Sequence, residues 1–270
     1  RQQHRSYGNV DPHPKGVRAK DDFEQALENH RLRLLENLRF ERGEEEASEQ
    51  YAKELASFGD IYINEAFAAY HPAASTIVLP KLLPHAAGLR FAKEVERLTR
   101  VRENPKRPLV AVVGGAKVED KLPAIKNLLP KADKVLLGSS IANTKIKNQE
   151  LGIKKVVKPI DWVTDNGAAR DIGPLTIKRY VQEIKKAKTI IWNGPMGLFE
   201  DKRFKNGSVA IAKAIAKSKA FSVIGGGETT QLISLLKLQK KISFLSTGGG
   251  AMLEFLAGKK LPGVEALTRP

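Results

Sequence analysis

The chain has 270 residues, with 46 lysines and arginines against 30 aspartates and glutamates, a formal net charge of +16. Hydrophobic residues make up 41% and charged residues 28%, the balance of a globular protein large enough to bury a core without staples. There is no cysteine, which excludes disulfides and thiolate metal centres and makes a reducing cytoplasm the expected home. No signal-peptide pattern opens the sequence and no apolar run is long enough to span a bilayer, so no membrane partner is expected. The basic excess favours anions. Its densest stretch, Lys145, Lys147, Lys154, Lys155 and Lys158, has no interleaved aromatics to stack on bases, and no nucleic-acid partner is expected. The plain reading of the charge is a solvated basic surface.

Residues 1 to about 20 are polar and show no period. Asp21 to about His30 reads as a short amphipathic helix, and Leu34 to Phe40 as a buried strand ending in a turn. Ser48 to Phe58 has a helical pattern that stops at Gly59, and Ile61-Tyr62-Ile63 follows as a strand. A second helical stretch, about Ala86 to Arg102, runs into Asn104-Pro105-Lys106-Arg107-Pro108, a stiff break that reads as a domain boundary.

Beyond the break the pattern is regular. Leu109–Val113, Lys134–Leu137, Thr189–Trp192, Phe221–Ile224 and Ile242–Leu245 are short apolar runs, most of them followed by a glycine-rich turn and then helical pattern. Alternating units of this kind predict an α/β fold with a mostly parallel sheet, whose ligands sit beyond the carboxyl ends of the strands.

Four turns stand out: Gly114-Gly115-Ala116-Lys117, Asn193-Gly194-Pro195-Met196-Gly197, Gly225-Gly226-Gly227-Glu228-Thr229 and Ser246-Thr247-Gly248-Gly249-Gly250. Lacking side chains, such turns let backbone N–H groups close on an anion, and a following helix adds the positive end of its dipole. A single glycine turn is weak evidence, because tight strand–helix connections use glycine anyway. Four on one sheet edge point to phosphate. None has the Walker spacing, and none the dinucleotide fingerprint with its acidic residue. Lys117 ends the first turn and Lys121 follows one helical turn later, placed to neutralise phosphate charge unless both are solvated surface lysines. Glu228 could hold Mg²⁺ together with phosphate oxygens, or simply complement a helix start.

These residues, in this order, resemble the phosphoglycerate kinase family. The matching segments are Leu35-Glu36-Asn37-Leu38-Arg39-Phe40, Gly114 to Lys121, Asp171-Ile172-Gly173-Pro174, Trp192 to Glu200 and Ser246 to Ala251, and the likeness runs from about Arg33 to the end. The resemblance implies two Rossmann-like domains with mostly parallel sheets joined by a long interdomain helix. Residues 1–85 would be an incomplete phosphoglycerate-side domain, 86–106 the helix and hinge, 107–258 the nucleotide domain, and 259–270 a segment returning to the first domain. It implies reversible phosphoryl transfer between 1,3-bisphosphoglycerate and ADP, giving 3-phosphoglycerate and ATP, with Mg²⁺, in a protein expected to be monomeric. By analogy Lys117 stabilises the phosphoryl group in flight and Lys121 holds nucleotide phosphate. Gly114, Gly115, Gly138 and Pro195 would line the nucleotide pocket, with Asn193, Gly227 and Thr229 near it and Glu200 on the ribose. Glu228 stands where the family usually has the aspartate that ligates the metal. Gly249 and Gly250 would offer N–H groups to the phosphoryl, and Arg39, with His71 as helper, would face the phosphoglycerate.

The substrate half departs from the family pattern. The Arg-Val-Asp-x-Asn-Val-Pro strand and the His-Leu-Gly-Arg-Pro loop are absent; Pro14-Lys15-Gly16 resembles the tail of the latter. Pro72 stands where an arginine belongs after His71, and the stretch from Ile141 to Asp161 is much shorter than in the family. The expected function is a phosphoglycerate kinase with segments missing from these 270 residues. The alternatives are a nucleotide-binding pseudoenzyme without a phosphoglycerate site, and a basic nucleic-acid-binding protein on the same fold.

Overall fold

The computed structural model describes residues 34–115, 122–142 and 155–268. The expected helix at Asp21–His30 lies outside them, as do Lys117 and Lys121.

The expected strand at Leu34–Phe40 is not formed. Residues 34–37 have no regular structure and Leu38–Phe40 is a 3-10 turn, with Leu34 78% and Phe40 65% exposed. Asn37 is the cause: its side-chain oxygen accepts the Arg39 N–H at 3.1 Å and its carbonyl accepts the Phe40 N–H at 3.0 Å. Such local bonds compete with a strand ladder. Helices α1 (Arg42–Glu45) and α2 (Glu49–Ala56) follow, and the Ser48 hydroxyl caps α2 by accepting the Tyr51 N–H. Strand β1 (Tyr62–Asn64) pairs in parallel with β2 (His85–Ala87), Tyr62 opposite His85. A small core of Ala52, Leu55, Ala74, Val78 and Leu79 joins α2 to the irregular helical turns between these strands.

The helix expected from about Ala86 starts later, as α3 (Leu89–Glu103), because Ala86 and Ala87 are held in the ladder with β1. Its start is fixed by Glu65, whose carboxylate accepts the N–H groups of Arg90 (2.8 Å) and Phe91 (3.0 Å), two of the donors that a helix N-terminus leaves open. One stripe of α3, Phe91, Glu94, Leu98 and Val101, is buried.

Among the described residues the main sheet has six strands, all parallel: β3 (Leu109–Val113), β4 (Lys134–Leu137), β5 (Val156–Val157), β8 (Thr189–Asn193), β9 (Phe221–Gly225) and β10 (Phe244–Leu245). Their order is β10-β9-β8-β3-β4-β5. A parallel sheet must be covered on both faces, and side chains alternate along each strand. Leu109, Ala111 and Val113 of β3 join one core with Leu98 and Val101 of α3 and with α4 (Leu122–Leu128) and α9 (Gly249–Ala257). Val110 and Val112 face the other core, with α6 (Pro174–Lys186), α7 (Asn206–Lys217) and α8 (Gly227–Leu235). A four-residue helix, α5 (Ser139–Ala142), follows β4.

An antiparallel hairpin, β6 (Trp162–Asp165) and β7 (Ala168–Ile172), interrupts this series. Its two-residue turn is Asn166-Gly167, both at positive φ (48° and 77°), the backbone that a tight right-twisted hairpin requires. The last helix, α10 (Pro262–Thr268), lies against Ala74–Val78, back beside the small β1–β2 unit.

Candidate active site

In the main sheet the chain moves outward from β3 in one direction through β4 and β5, and from β8 in the other through β9 and β10. The change of direction between β3 and β8 opens a crevice at their carboxyl ends. Gly114 and Gly115 of the first glycine turn, the other three turns and Gly138 all leave strands at this edge.

They interlock closely. The Gly114 N–H donates to the Asn193 carbonyl at 2.9 Å and the Gly115 N–H to the Pro195 carbonyl at 2.8 Å. A Cβ on Gly114 would lie 2.0 Å from the Pro195 carbonyl oxygen, and one on Gly138 2.9 Å from the Gly114 Cα. Only glycine fits such backbone-to-backbone contact. The Ser139 N–H donates to the Met196 carbonyl, and the Met196 N–H to the Ser208 hydroxyl. Thr229 is fully buried, and its hydroxyl accepts the Gly194 N–H at 2.8 Å. The Asn193 amide donates to the Gly249 carbonyl at 3.1 Å, tying the second turn to the fourth. Gly226, at φ +98°, turns β9 into α8.

Gly227 differs from its neighbours. A Cβ there would meet nothing within 4 Å, so packing does not demand a glycine, and it opens α8 where backbone N–H groups are free of intrahelical partners.

Of the residues expected in the site, Gly115, Pro195, Glu200 and Glu228 line one pocket of about 150 Å³. Gly114, Gly138, Asn193, Thr229 and Gly249 form the interlocked shell just described. Gly250 lies beside Tyr70: a Cβ on it would come within 2.9 Å of the Tyr70 hydroxyl. His71 is exposed, its ring 4.2 Å from that of Tyr70, so it shares a segment with a neighbour of the fourth turn but not the pocket. Arg39 is exposed on the 3-10 turn and is not among the residues lining the pocket.

Ser140, Ala169, Arg170, Gly197 and Leu198 complete the lining. Gly197 and Leu198 sit inside a segment already singled out by the sequence; Arg170 was missed. The signal that leads to it is Asp165-Asn166-Gly167, a strong short-range mark of a hairpin. That hairpin brings β7 to the pocket, where the Arg170 carbonyl accepts the Leu198 N–H at 2.8 Å.

Asp171, next along β7, is fully buried. Its carboxylate accepts the Gly207 N–H at 2.7 Å and the Ile172 N–H at 2.9 Å, so it fixes the start of α7 behind the Gly197 turn. Burial pushes its carboxyl up from 3.8 to about 6, against the pull of those two N–H groups. A folded-state pKa above the unfolded one means that the native protein holds the extra proton, so the stabilising contribution is complete below pH ~4 and is lost as pH rises through about 6. Urea titrations of the wild type and Asp171→Asn at pH 4 and 7 should show their stability difference moving by about 2 kcal/mol in favour of the variant. An unchanged difference would mean that Asp171 stays ionised throughout.

Comparison with known proteins matches the family model described as phosphoglycerate kinase at residues 15–163 and 152–259. This chain belongs to the phosphoglycerate kinase family. A curated phosphoglycerate kinase from Leptospira biflexa is 42% identical over 286 residues, covering 90% of this chain and 72% of its own length. One from Finegoldia magna is 38% identical, covering 89% and 72%. Among solved structures, the phosphoglycerate kinase from Coxiella burnetii gives a TM-score of 0.76 at 37% identity, covering 86% of this chain and 71% of that one. That from Pyrococcus horikoshii gives 0.75 at 32% identity with the same coverage. No helix among the described residues is long and apolar enough to cross a membrane.

Proposed function

We propose that the chain catalyses reversible phosphoryl transfer between 1,3-bisphosphoglycerate and ADP, giving 3-phosphoglycerate and ATP. The observation that carries this reading is the convergence of the glycine turns at the β3/β8 crevice, with Gly115, Pro195, Glu200 and Glu228 around one pocket. Phosphoryl transfer asks little covalent work of a protein; it needs alignment, charge neutralisation and exclusion of water.

In this reading the nucleotide lies across Gly114, Gly115, Gly138 and Pro195, with Glu200 accepting hydrogen bonds from the ribose hydroxyls. Asn193 and Thr229 brace the phosphate end from beneath through their bonds to Gly249 and Gly194, and the space beside Gly227 and the N–H groups of the α8 start suit an anion. Gly249 and Gly250 open α9 and offer N–H groups to the group in transfer. Lys121 holds nucleotide phosphate and Lys117 stabilises the charge spread over the phosphoryl oxygens. Arg39, with His71, receives the phosphoglycerate. A phosphorylated acid held by one arginine rather than several loses charge-assisted bonds worth about 1.5–3 kcal/mol each, so weak substrate affinity is expected.

The metal reading fits the donor set. Among the described residues no three acidic or histidine side chains converge as a metal cage, and Glu228 supplies one exposed carboxylate beside the proposed phosphate site. Mg²⁺ takes one or two carboxylates and completes its shell with phosphate oxygens and water. When bound it would neutralise phosphate charge; Glu228 would orient it with a longer arm than the family's aspartate.

The helix α3 and the Asn104–Pro108 break would act as the hinge between a phosphoglycerate side, residues 1–85, and a nucleotide side, residues 107–258, with 259–270 returning to the first. A monomer in the cytoplasm, binding neither nucleic acid nor membrane, completes the proposal. Calorimetric titration of the 270-residue protein with Mg-ADP, and then with 3-phosphoglycerate, tests it. Binding of both is expected. Binding of Mg-ADP alone would leave a nucleotide-binding relative without a substrate site and would end the claim of catalysis.

A further inference from the structure

At the opposite edge of the sheet, where β8 and β9 begin, lies a cleft of about 520 Å³ that the proposed reaction does not use. Five lysines line it: Lys185 at the end of α6, Lys188 before β8, Lys213 and Lys217 on α7, and Lys219 before β9. Val181, Ala187, Ala210 and Ala214 form much of the rest, and no acidic residue lines it.

Two helix faces build the cleft. Val181 and Lys185 are one turn apart on α6; Ala210, Lys213, Ala214 and Lys217 share a face of α7, where the small alanines leave the space. The connections are held rigidly: the Lys188 N–H donates to the Pro108 carbonyl, its carbonyl accepts the Phe221 N–H, and Ser218 folds its hydroxyl back onto the Ile215 carbonyl. All five lysines are exposed, and among the described residues none has a carboxylate within 4 Å. Lys186, which does not line the cleft, has Glu183 at 3.7 Å.

Lysines in the last turn of a helix complement its dipole, which accounts for Lys185 and Lys217. It does not account for Lys188, Lys213 or Lys219. Lys213 and Lys217, one turn apart with like charge, repel each other. An anion seated between them would relieve that repulsion, and the volume falls within the roughly 300–1,000 Å³ of small-molecule sites.

We propose that this cleft binds a small oligophosphate-bearing molecule, a second anion site on the far edge of the sheet from the glycine turns. Concavity favours a compact ligand over a duplex or a membrane plane, and the aliphatic floor leaves room for an apolar group beside the phosphates.

The test is titration of the full chain with inorganic tripolyphosphate, read by calorimetry and by backbone hydrogen exchange. Binding should protect residues 185–188 and 213–219 and should fade toward about 1 M salt, where charges are screened beyond about 3 Å. Lys213→Gln/Lys217→Gln should weaken that binding by about tenfold or more, or about 1.4 kcal/mol, with Mg-ADP affinity unchanged as a control on folding. No binding would overturn the proposal. Protection confined to residues 194–200 and 226–228 would also overturn it while leaving the nucleotide reading in place. So would binding of phosphatidylserine vesicles or of an oligonucleotide without tripolyphosphate.

Discussion

Lys117→Ala should lower the turnover of 1,3-bisphosphoglycerate or 3-phosphoglycerate by about 10²–10³-fold, equivalent to about 2.7–4 kcal/mol, while Mg-ADP affinity changes little. The asymmetry follows from the role given to the lysine. A charge aimed at the phosphoryl group in flight acts mainly where negative charge is shared among three oxygens between donor and acceptor, and it does less for a nucleotide at rest. Lys121→Ala is the control, since a lysine that holds nucleotide phosphate should reduce affinity first. Steady-state kinetics combined with calorimetric Mg-ADP titration separates the two. Equal losses of turnover and affinity in Lys117→Ala would show that Lys117 only anchors the nucleotide.

Trp192→Ala should be the most damaging change to the fold. Trp192 is fully buried at the end of β8, in the core shared with α6 and α7, and its indole N–H donates to the Gly194 carbonyl at 2.8 Å. Removing the ring costs about 3–5 kcal/mol for lost burial and the cavity. The Gly194 carbonyl then loses its donor, for about 1–3 kcal/mol more if no water reaches it. Because Gly194 begins the turn that carries Pro195 to the pocket, Mg-ADP affinity should fall with stability. Trp192→Phe keeps most of the volume and should recover much of the stability but less of the affinity. Urea unfolding followed by circular dichroism, with calorimetry for the ligand, checks both. Full recovery of affinity in the phenylalanine variant would show that the indole hydrogen bond does not position the turn.

The glycine turns were legible in the sequence for a physical reason. Gly114 and Gly138 approach other backbones more closely than any Cβ allows, and Gly226 needs a positive φ. Geometry of that kind leaves a mark on residue type that is readable without coordinates. The central strands of the main sheet were readable because burial on both faces demands unbroken apolar runs, as in Leu109–Val113, every residue of which is buried; the edge strand Val156–Val157 was not expected, and of Ile242–Leu245 only Phe244–Leu245 pairs. The strand expected at Leu34–Phe40 shows the converse. Its residues are apolar enough, but a side chain two positions away from a backbone N–H turned the chain first.

The hairpin that supplies Arg170 and Asp171 had its signal in Asn166-Gly167, yet its two strands carry no clean alternation: exposed and half-buried residues alternate in β6, and β7 becomes buried only at Asp171 and Ile172. Position in the sheet order, and so the crevice between β3 and β8, was beyond the sequence. Pairing of parallel strands is decided by contacts between segments far apart in the chain.

What the sequence by itself determined is local: where backbones must come close, which runs must be buried, and which residues can meet phosphate. The tertiary structure decided what meets what. It placed Glu94 of α3 to accept the Thr247 N–H at 2.7 Å across 153 positions, brought Tyr70 against Gly250, and gathered five lysines from separate segments into one cleft. Those meetings depend on helix and strand packing, in which many weak contacts must be satisfied together, and no single stretch of sequence records the outcome.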